Sequence, residues 1–551
     1  MKRLKRSIIA TCIASIASPF AFAQDTNVSD GIEVLEPFEV IGSKQNALKL
    51  EGSGSYLDNN DLGTFLYTDI NEILRQVPGV YVRGEEGYGL FPNISLRGVD
   101  PNRSAKVTIL EDGIPSSPSP FSDPSAYYSP TAGRMAGFEI LKGSSQLKFG
   151  PNTTGGVINY ISTSIPQKNS SHLQLSYGEY NECISHAYVG GKTPLGNGTF
   201  GYLVEVFDHR TDGWKIVDGI GNAPGADSPV AKTDVMLKLS YEFSGTDYLE
   251  LKIGRTDLGA DVGYMGVTKT DFDTGNPYRR YVGGGYDNMD SDQTRYYLRY
   301  LKELSPEMNL STTVFQNEFN RDWYKAKYSS FASDAVLKGT ADGTFQVKHN
   351  DRTYEVWGIQ SNLEWERDNH LLDSGFRYTD DVYTTNAQTT DTYTVVANTS
   401  VSGPVAGTPS NPAERSSEAI ELYITDEISV SDQLTVTPGI RYTDVDYVRT
   451  TTGSRDDVLL GVGATYVFSE TLAGFGGVYQ GHALPGASGG ASGLNIEESL
   501  GLEIGLRGSL MEDVVFEIAY FRTDYTDMLA LESLASNVTN SANVGESLVQ
   551  G

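Results

Sequence analysis

Apolar and polar residues alternate along much of this chain, and that alternation constrains the fold more than any other feature. Residues 235–243 alternate in this way, residues 244–247 form a predicted turn, and residues 249–253 alternate again. The same unit recurs at 307–319, 419–442, 460–480 and 502–521. Strands of about ten residues with this period, joined by short turns, are typical of barrels that meet lipid on one face. The pattern therefore predicts many antiparallel β-strands.

The connections between these units are short on one side and long on the other. The long ones are polar and rich in Gly or Thr, at 209–234, 256–294, 320–353, 380–415 and 481–499. A transmembrane β-barrel has this asymmetry of turns and loops. A soluble β-sandwich is the alternative, but its strands are shorter and the asymmetry would be accidental. We expect an all-β membrane protein in which residues 170–551 supply about 15 or 16 strands of a large antiparallel transmembrane β-barrel.

The N-terminus has the three parts of an export signal. Four basic residues among the first six precede a mostly apolar stretch, and Ala21-Phe22-Ala23 gives the small-x-small cleavage pattern. We expect residues 1–23 to be a signal peptide, and removing its four positive charges takes the formal charge from −29 to −33. This acidity argues against a general nucleic-acid binder, which needs a basic face. Only one cysteine, Cys183, follows the signal, so an intramolecular disulfide is excluded.

Short motifs follow one another at regular spacing in residues 55–165. A short helix is predicted at 69–80, where Pro-Gly ends it. The motifs after it are ISLRG (94–98), LEDGIP (110–115), FEILKG (138–143), FGP (149–151) and GGVIN (155–159). In this order they resemble the plug domain of TonB-dependent outer-membrane receptors, and the barrel segments 434–442 and 502–507 agree with that family. The resemblance implies an N-terminal α+β plug domain, residues 55–165, in the lumen of a barrel that has about 22 strands when complete.

Residues 126–135 and 162–166 are most similar to the ferric-citrate-receptor type within that family. The resemblance implies TonB-dependent active transport of a ferric chelate, such as ferric citrate or another siderophore, across the outer membrane of a Gram-negative bacterium. It implies a monomer that is not an enzyme, with a chelated ferric ion as cargo and no cofactor. The open alternatives are another bulky nutrient (cobalamin, a glycan or another metal complex) and a non-transporting surface protein, either an adhesin or a truncated pseudoreceptor.

The segment before the plug carries the predicted contact with the energy-coupling protein. Residues 24–54 are polar and rich in Gly and Ser, and we expect a flexible periplasmic segment. In the family, TonB, energised by ExbB and ExbD, pairs with an extended stretch of this region. The residues that suit it are Pro37, Phe38, Glu39, Val40, Ile41 and Gly42, because the proline disfavours a helix and the β-branched and aromatic residues favour extension.

A charge pair is expected between plug and barrel. Arg97 matches the plug arginine that pairs with barrel glutamates in the family, and Glu503 matches one of those glutamates. A partly buried ion pair can hold the plug against the barrel until transport begins, since breaking the pair exposes an uncompensated charge. The family's second plug arginine is not evident: its aligned position is near Gly137, and Arg134 lies three residues earlier.

Ligand-binding residues are expected on the outward loops of the plug and on the upper inner wall of the barrel. Arginines would meet an anionic ferric chelate through paired hydrogen bonds, and aromatic rings would cover its organic part. The candidates are Arg83, Tyr88, Arg279, Arg280, Arg321, Trp323 and Tyr324.

No catalytic or metal site is predicted. The Gly486–Gly490 segment fits a hydrolase nucleophile pattern without the strand–turn–helix setting that such a serine needs, and the histidines show no metal-site grouping. The final residues resemble the start of a further family strand, so we expect a C-terminally incomplete barrel. Such a sheet would leave two unpaired edges.

Overall fold

The computed structural model describes residues 40–142, 147–243, 247–263, 265–511, 514–531 and 541–551. The chain divides into two units, Met1–Glu36 and Pro37–Gly551, and the first lies outside the described residues. The predicted signal peptide and the residues Pro37, Phe38 and Glu39 therefore lie outside them as well. Everything below concerns the second unit.

The first part of this unit is a small α+β domain built on a five-stranded sheet. Its elements are α1 (Lys44–Ala47), β1 (Gly54–Leu57), α2 (Asn59–Phe65), α3 (Ile70–Leu74), β2 (Val80–Val82), β3 (Ile94–Leu96), β4 (Thr108–Glu111), β5 (Ile114–Pro115), β6 (Met135–Leu141) and β7 (Val157–Ser162). The sheet has the order β1-β6-β7-β4-β5, and β2 pairs with β3.

Local sequence explains how the helices of this domain begin and what they cover. Asp58 starts α2 with a capping box, and the side chain of Asp69 accepts from the Asn71 backbone N–H to cap α3. Helix α3 ends at Leu74, several residues before the predicted stop at Pro-Gly. Its buried face packs with the sheet residues Phe138 and Ile158 in one core. This core stabilises the domain that carries the motifs of residues 94–143.

The remainder of the chain is almost entirely long strands. In chain order the elements are β8 (Ser170–Tyr177), β9 (Cys183–Leu195), β10 (Gly198–Thr211), β11 (Ile216–Val217), β12 (Val230–Glu242), β13 (Asp247–Ala260), α4 (Lys269–Asp273), β14 (Arg279–Arg280), β15 (Asn288–Ser305), β16 (Met308–Ala326), α5 (Asp334–Leu337), β17 (Gly343–Arg367), β18 (His370–Thr385), β19 (Thr390–Val396), β20 (Ser400–Val405), β21 (Ala413–Ser429), β22 (Leu434–Val448), β23 (Thr452–Ser469), β24 (Leu472–Ala483), α6 (Gly486–Gly490), β25 (Glu497–Met511), β26 (Val514–Thr526), β27 (Leu529–Leu531), β28 (Ser541–Asn543) and β29 (Ser547–Gln550).

These strands form one closed antiparallel barrel. Sixteen of them pair around the ring, and β19 and β20 add a hairpin that extends the outer part of β17. The predicted number of strands is therefore confirmed. The predicted open edges are wrong for the described strands: β29 pairs with β26 and neighbours β8, so the ring is closed. Closure is favoured because it pairs backbone groups that lipid cannot satisfy.

Alternation along each strand separates an outer face from the lumen. On β25, Leu502, Ile504 and Leu506 are 45%, 63% and 47% exposed, whereas Glu503 and Arg507 between and beside them are buried. This alternation turns apolar side chains outward and charged ones toward the plug domain. Within the described ranges, no helix combines the length and apolar character that crossing a membrane requires.

Candidate functional site: the plug–barrel interface

Arg97 and Glu503, predicted to pair, are in contact in the structure. Arg97 follows β3 with a φ of 53°, in the left-handed region, and its backbone N–H donates to the Gly79 carbonyl at 2.9 Å. This turn directs its side chain at the barrel wall. There, Nη2 donates to Glu503 Oε1, Nη1 lies 3.2 Å from Oε2, and the guanidinium sits 4.7 Å from the Phe521 ring centroid. The pair is bidentate and almost fully buried, which is the strong form of such a contact.

Two further plug residues join this charge pair. Ser53 donates its hydroxyl to the same Glu503 carboxylate. Lys142, the residue after β6, is buried and lies in the electrostatic field of Arg97, Glu517 and Glu503. Burial, reinforced by the charge of Arg97, lowers the pKa of Lys142 to about 8. Sequence reasoning missed Lys142 because it sought an arginine; the available signal was the lysine just before the final glycine of the FEILKG motif.

Arg134, weighed as the second plug arginine, lies in a different buried cluster. Its guanidinium is 2.6 Å from Glu111 Oε1, 3.1 Å from Asp234 Oδ2 and 3.7 Å from Glu205 Oε2. Lys252 of the barrel wall also reaches Glu111, at 2.8 Å. Burial raises the pKa of Glu111, but the surrounding cations outweigh it and bring that pKa to about 2. The cluster therefore holds ionised groups of both signs and joins the plug to the wall.

Three residues of the predicted TonB-binding segment are bound to the plug by one carboxylate. The backbone N–H groups of Val40, Ile41 and Gly42 donate to Glu139 at 2.8, 2.7 and 2.8 Å. Glu139 lies on β6, fully buried, and also accepts from Asn159 Nδ2 at 2.7 Å. The Ile41 side chain is buried in an apolar cluster on the plug. The described half of the segment is therefore docked on the plug domain.

Four of the predicted ligand residues already have protein partners. Arg83 donates to the Asn93 side chain at 3.2 Å, and the Tyr88 hydroxyl accepts from the Trp214 backbone N–H at 3.1 Å. The two loop arginines are matched by loop carboxylates: Arg279 lies 2.7 Å from Asp218 and 3.3 Å from Asp271, and Arg280 lies 3.4 Å from Asp287. Both loop arginines therefore form ion pairs with loop carboxylates, and these pairs connect the loops to one another.

The other three predicted ligand residues lie at the outer end of β16. Arg321 and Trp323 are buried on the lumen side: the Arg321 guanidinium is 4.0 Å from the Tyr127 ring centroid, and Trp323 stacks on Phe91 at 5.5 Å. Tyr324 points to the other face and stacks on His349 at 4.3 Å. The structure thus brings Arg321 and Trp323 together with plug residues, and separates Tyr324 from them.

An antiparallel barrel whose lumen holds an α+β plug, tied to the wall by buried ion pairs, defines a plugged outer-membrane receptor. Comparison with known families gives the same class. A family model described as "TonB dependent receptor-like, beta-barrel" matches residues 185–551, and one described as "TonB-dependent Receptor Plug Domain" matches residues 46–157. The chain belongs to the TonB-dependent receptor family, whose members are receptors and not enzymes, and it is an outer-membrane protein of a Gram-negative bacterium. The family predicted from the motifs is confirmed.

Individual relatives are more distant. The iron-regulated outer membrane virulence protein of Vibrio cholerae serotype O1 is 27% identical over 334 residues, which cover 56% of this chain and 48% of that protein. The chain thus spans about half the length of the curated relatives it matches.

Solved structures share the fold at low sequence identity. The unliganded ferric citrate transporter FecA is 19% identical with a TM-score of 0.72, covering 92% of this chain and 74% of that chain. The ferric-catecholate import receptor Fiu from E. coli K12 is 15% identical with a TM-score of 0.69, covering 92% and 77%. The ferric yersiniabactin uptake receptor FyuA from Yersinia pestis is 16% identical with a TM-score of 0.66, covering 90% and 74%.

Proposed function

We propose that this protein carries a ferric chelate, ferric citrate or another siderophore, across the outer membrane by energy-coupled transport with TonB and its ExbB and ExbD partners. The observation that carries the proposal is the docking of Val40, Ile41 and Gly42 on Glu139. A chain segment attached to a separately folded domain inside a closed barrel offers an external protein a point at which to bind and pull on that domain. Strand addition to such a segment supplies main-chain hydrogen bonds without demanding a long fixed sequence.

The charge pair between Arg97 and Glu503 supports the same proposal from the barrel side. A plug that moves for transport must otherwise stay in place, and a buried bidentate pair resists separation because each partner would lose its counter-charge. In this proposal, Lys142 contributes a second positive charge to the buried ion pair that holds the plug against the barrel. The printed names of several relatives refer to ferric citrate, ferric catecholates and iron regulation, which favours a ferric chelate as the cargo.

The test is accumulation of radiolabelled ferric citrate by an iron-starved host that lacks its own receptors. We expect cells with the full chain to accumulate iron, and cells with residues 37–42 deleted to bind ferric citrate at the surface without accumulating it. A deletion of residues 26–31 in the same polar stretch is the matched control and leaves accumulation unchanged. Equal accumulation by the 37–42 deletion, or by a host without TonB, would exclude energy coupling. Failure of the full chain to accumulate iron would favour another bulky nutrient, an adhesin or a pseudoreceptor.

A further inference from the structure

One stretch of the barrel is joined to the plug by main-chain hydrogen bonds. The Thr153 and Thr154 backbone N–H groups donate to the His482 carbonyl at 2.8 and 3.3 Å. The Ala487 backbone N–H donates to the Ser122 carbonyl at 2.9 Å. Among the described residues, these three are the main-chain hydrogen bonds between plug and barrel. Both barrel residues lie where β24 passes through a long, outer connection into α6.

The side chain of His482 strengthens this attachment. It is fully buried, and both ring nitrogens face acceptors: Nε2 lies 2.9 Å from the Pro151 carbonyl oxygen, and Nδ1 lies 2.8 Å from Asp457 Oδ2 on β23. The Leu484 backbone N–H donates to the Asn152 side chain at 2.9 Å. Buried polar groups are costly to leave unpaired, so this part of the plug leaves the wall only by losing several bonds at once.

A second plug segment is held beside the first. Asp381 of β18 accepts from the backbone N–H groups of Phe121 and Ser122 at 2.7 and 3.1 Å. The Ser122 hydroxyl oxygen lies 2.6 Å from that of Ser417 on β21. Phe121 is fully buried and packs in an apolar cluster with Ala487 of α6. The plug is therefore attached here by main-chain bonds, by side chains and by an apolar core.

The glycine-rich sequence of α6 explains how the barrel chain fits so closely between plug and wall. A Cβ added at Gly490 would lie 2.2 Å from the Tyr447 ring. Gly486 has a φ of 65°, and a Cβ there would lie 3.0 Å from the Ser122 carbonyl oxygen. Side chains at these positions would push α6 away from the plug. The segment that fits a hydrolase pattern thus has a packing role.

The opposite side of the lumen is attached differently. β13 lies eight strands from β24 in the ring of sixteen, and we call β12, β13, β15 and β16 the far wall. There, Lys252 Nζ lies 2.8 Å from Glu111, and Arg299 Nη2 donates to the Asp112 carbonyl at 2.6 Å. The described hydrogen bonds of the far wall with the plug all come from barrel side chains. A cavity of about 20 Å³ lies between β5 and strands β15 and β16.

The two sides differ in what water would meet if they opened. At the far wall it would meet ionised groups such as Glu111 and Lys252, which water solvates well. At the attachment to β24 it would meet the apolar cluster of Phe121 and Ala487, together with main-chain groups that had lost their partners. Lysine and arginine side chains can also swing while the backbone stays in place. Opening is therefore favoured at the far wall.

We propose that two plug segments, residues 121–122 and 151–154, stay attached to the barrel throughout transport, and that the plug opens along the far wall. The plug then rearranges inside the barrel instead of leaving it as one body. This inference rests on the proposed function and adds the side of the lumen on which the cargo passes. His482 is the positioning residue of the attachment, because its ring and its carbonyl both contact the plug. We call the two segments the anchored segments.

Hydrogen exchange of the purified full chain in detergent tests the attachment without transport. Arg97→Gln breaks the ion pair with Glu503 on β25, the strand next to β24. We expect the amide at position 97, which donates to the Gly79 carbonyl, to exchange at least about tenfold faster. The amides of Thr153 and Thr154 should change less than about twofold. Equal acceleration at both places would mean that the plug detaches as one body, and would overturn the proposal.

The same measurement tests the role of His482. His482→Ala removes both ring contacts, and we expect exchange at Thr153 and Thr154 to accelerate at least about tenfold. His482→Gln keeps a donor and should recover part of the protection. His370→Ala, on an exposed pair with Asp426, is the matched control and leaves these amides unchanged. Heat-modifiable migration on a gel shows that each barrel forms, and His482→Gln carries the comparison if His482→Ala does not fold. Unchanged exchange in both His482 variants would overturn this assignment.

Two disulfide tethers test which side opens. Both are made with Cys183→Ser, because Cys183 is the one cysteine after the predicted signal peptide. Ser122→Cys with Ser417→Cys joins the anchored side, where the two hydroxyl oxygens lie 2.6 Å apart. Thr131→Cys with Asp234→Cys joins the far wall, where Thr131 Oγ1 lies 2.7 Å from Asp234 Oδ2. Mass spectrometry confirms each disulfide, and each oxidised variant is compared with the same variant after reduction.

Accumulation of radiolabelled ferric citrate by cells gives the result. We expect the oxidised tether at Ser122 to leave accumulation within about twofold of the reduced protein. The oxidised tether at Thr131 should lower accumulation at least about tenfold, with recovery on reduction. A block by the first tether, or free accumulation with the second, would overturn the proposal. If wild-type cells accumulate no iron, the proposed function fails, and hydrogen exchange still decides whether the anchored segments stay attached.

Discussion

Two regions of the plug–barrel interface differ in whether their buried cations form ion pairs with carboxylates. Around Glu503 and around Arg134, the buried cations Arg97, Arg134 and Lys252 each form an ion pair with a carboxylate. At the outer end of β16, by contrast, Arg321 lies directly opposite Arg352 of β17, and its Nε and Nη1 atoms have no hydrogen-bond partner among the described residues. Matched charge stabilises the ligand-free protein because removing either partner exposes the other. The guanidinium of Arg321 rests on aromatic rings instead, so the difference separates arginines that hold the plug through ion pairs from one that does not.

The largest effect is expected where one cation matches several carboxylates. Arg134→Met leaves Glu111, Asp234 and Glu205 without their shared partner, and we expect the free energy of unfolding to fall by about 3–5 kcal/mol. Urea unfolding in detergent measures it. Arg255→Met, on a solvent-exposed pair with Asp257, is the control and changes stability by about 0–1 kcal/mol. Similar losses for both variants would contradict the distinction between matched buried and exposed charge.

The same cluster predicts how the plug responds to acid. The pKa of Glu111 is lowered from its usual 4.5 to about 2, so its contribution to stability is complete above pH 4.5 and is lost as the pH falls toward 2. Hydrogen exchange of the β4 amides, followed across that range, measures the loss. In Lys252→Met, with one cation fewer, we expect the loss to begin at a higher pH. An identical acid profile for both proteins would argue against the ion pairs as the cause.

The pair of Arg97 and Glu503 is expected to show strong coupling. Arg97→Gln and Glu503→Gln each leave a buried charge unpaired, whereas the double variant removes both charges. We therefore expect a coupling energy of about 1–3 kcal/mol in a double-mutant cycle, read from hydrogen exchange of the plug. Simple additivity of the two single effects would show that the contact does not hold the plug.

A smaller effect is expected at the docked segment. Glu139→Gln keeps the shape but removes the negative charge that receives three backbone N–H groups, which weakens the docking by about 1–2 kcal/mol. Exchange of the amide hydrogens of Val40, Ile41 and Gly42 reports this directly and should accelerate about tenfold. Glu72→Gln, on an exposed carboxylate, is the control. Unchanged exchange in Glu139→Gln would mean that the carboxylate does not secure the segment.

Periodicity predicted the barrel, whereas the plug and the contact of Arg97 with Glu503 were implied by the resemblance of the motifs to the receptor family. The alternation on β25 already separates Glu503 from its apolar neighbours. The opposition of Arg321 and Arg352 across β16 and β17 could be predicted only in part. Arg321 and Trp323 were candidates, but Arg352 was not, because opposition across β16 and β17 depends on a register that the turn and loop lengths set. β17 also extends over 25 residues, well beyond the length needed to cross a membrane.

Buried carboxylates were harder to assign. Glu139 lies within FEILKG, a strand buried on both faces, and nothing in the alternation indicates that its partner is a backbone segment almost a hundred residues earlier. A charged residue inside an otherwise apolar strand was the available signal, since such residues are buried only when they are paired. Lys142, at the end of the same motif, carried the same signal.

Parallel urea unfolding of ligand-free Arg97→Gln and Arg321→Gln tests the contrast between matched and unmatched charge most directly. Both variants remove one nearly buried arginine charge from the plug–barrel interface. We predict that Arg97→Gln lowers the unfolding midpoint, and that Arg321→Gln leaves it unchanged or raises it. Equal destabilisation of the two ligand-free variants would contradict the account.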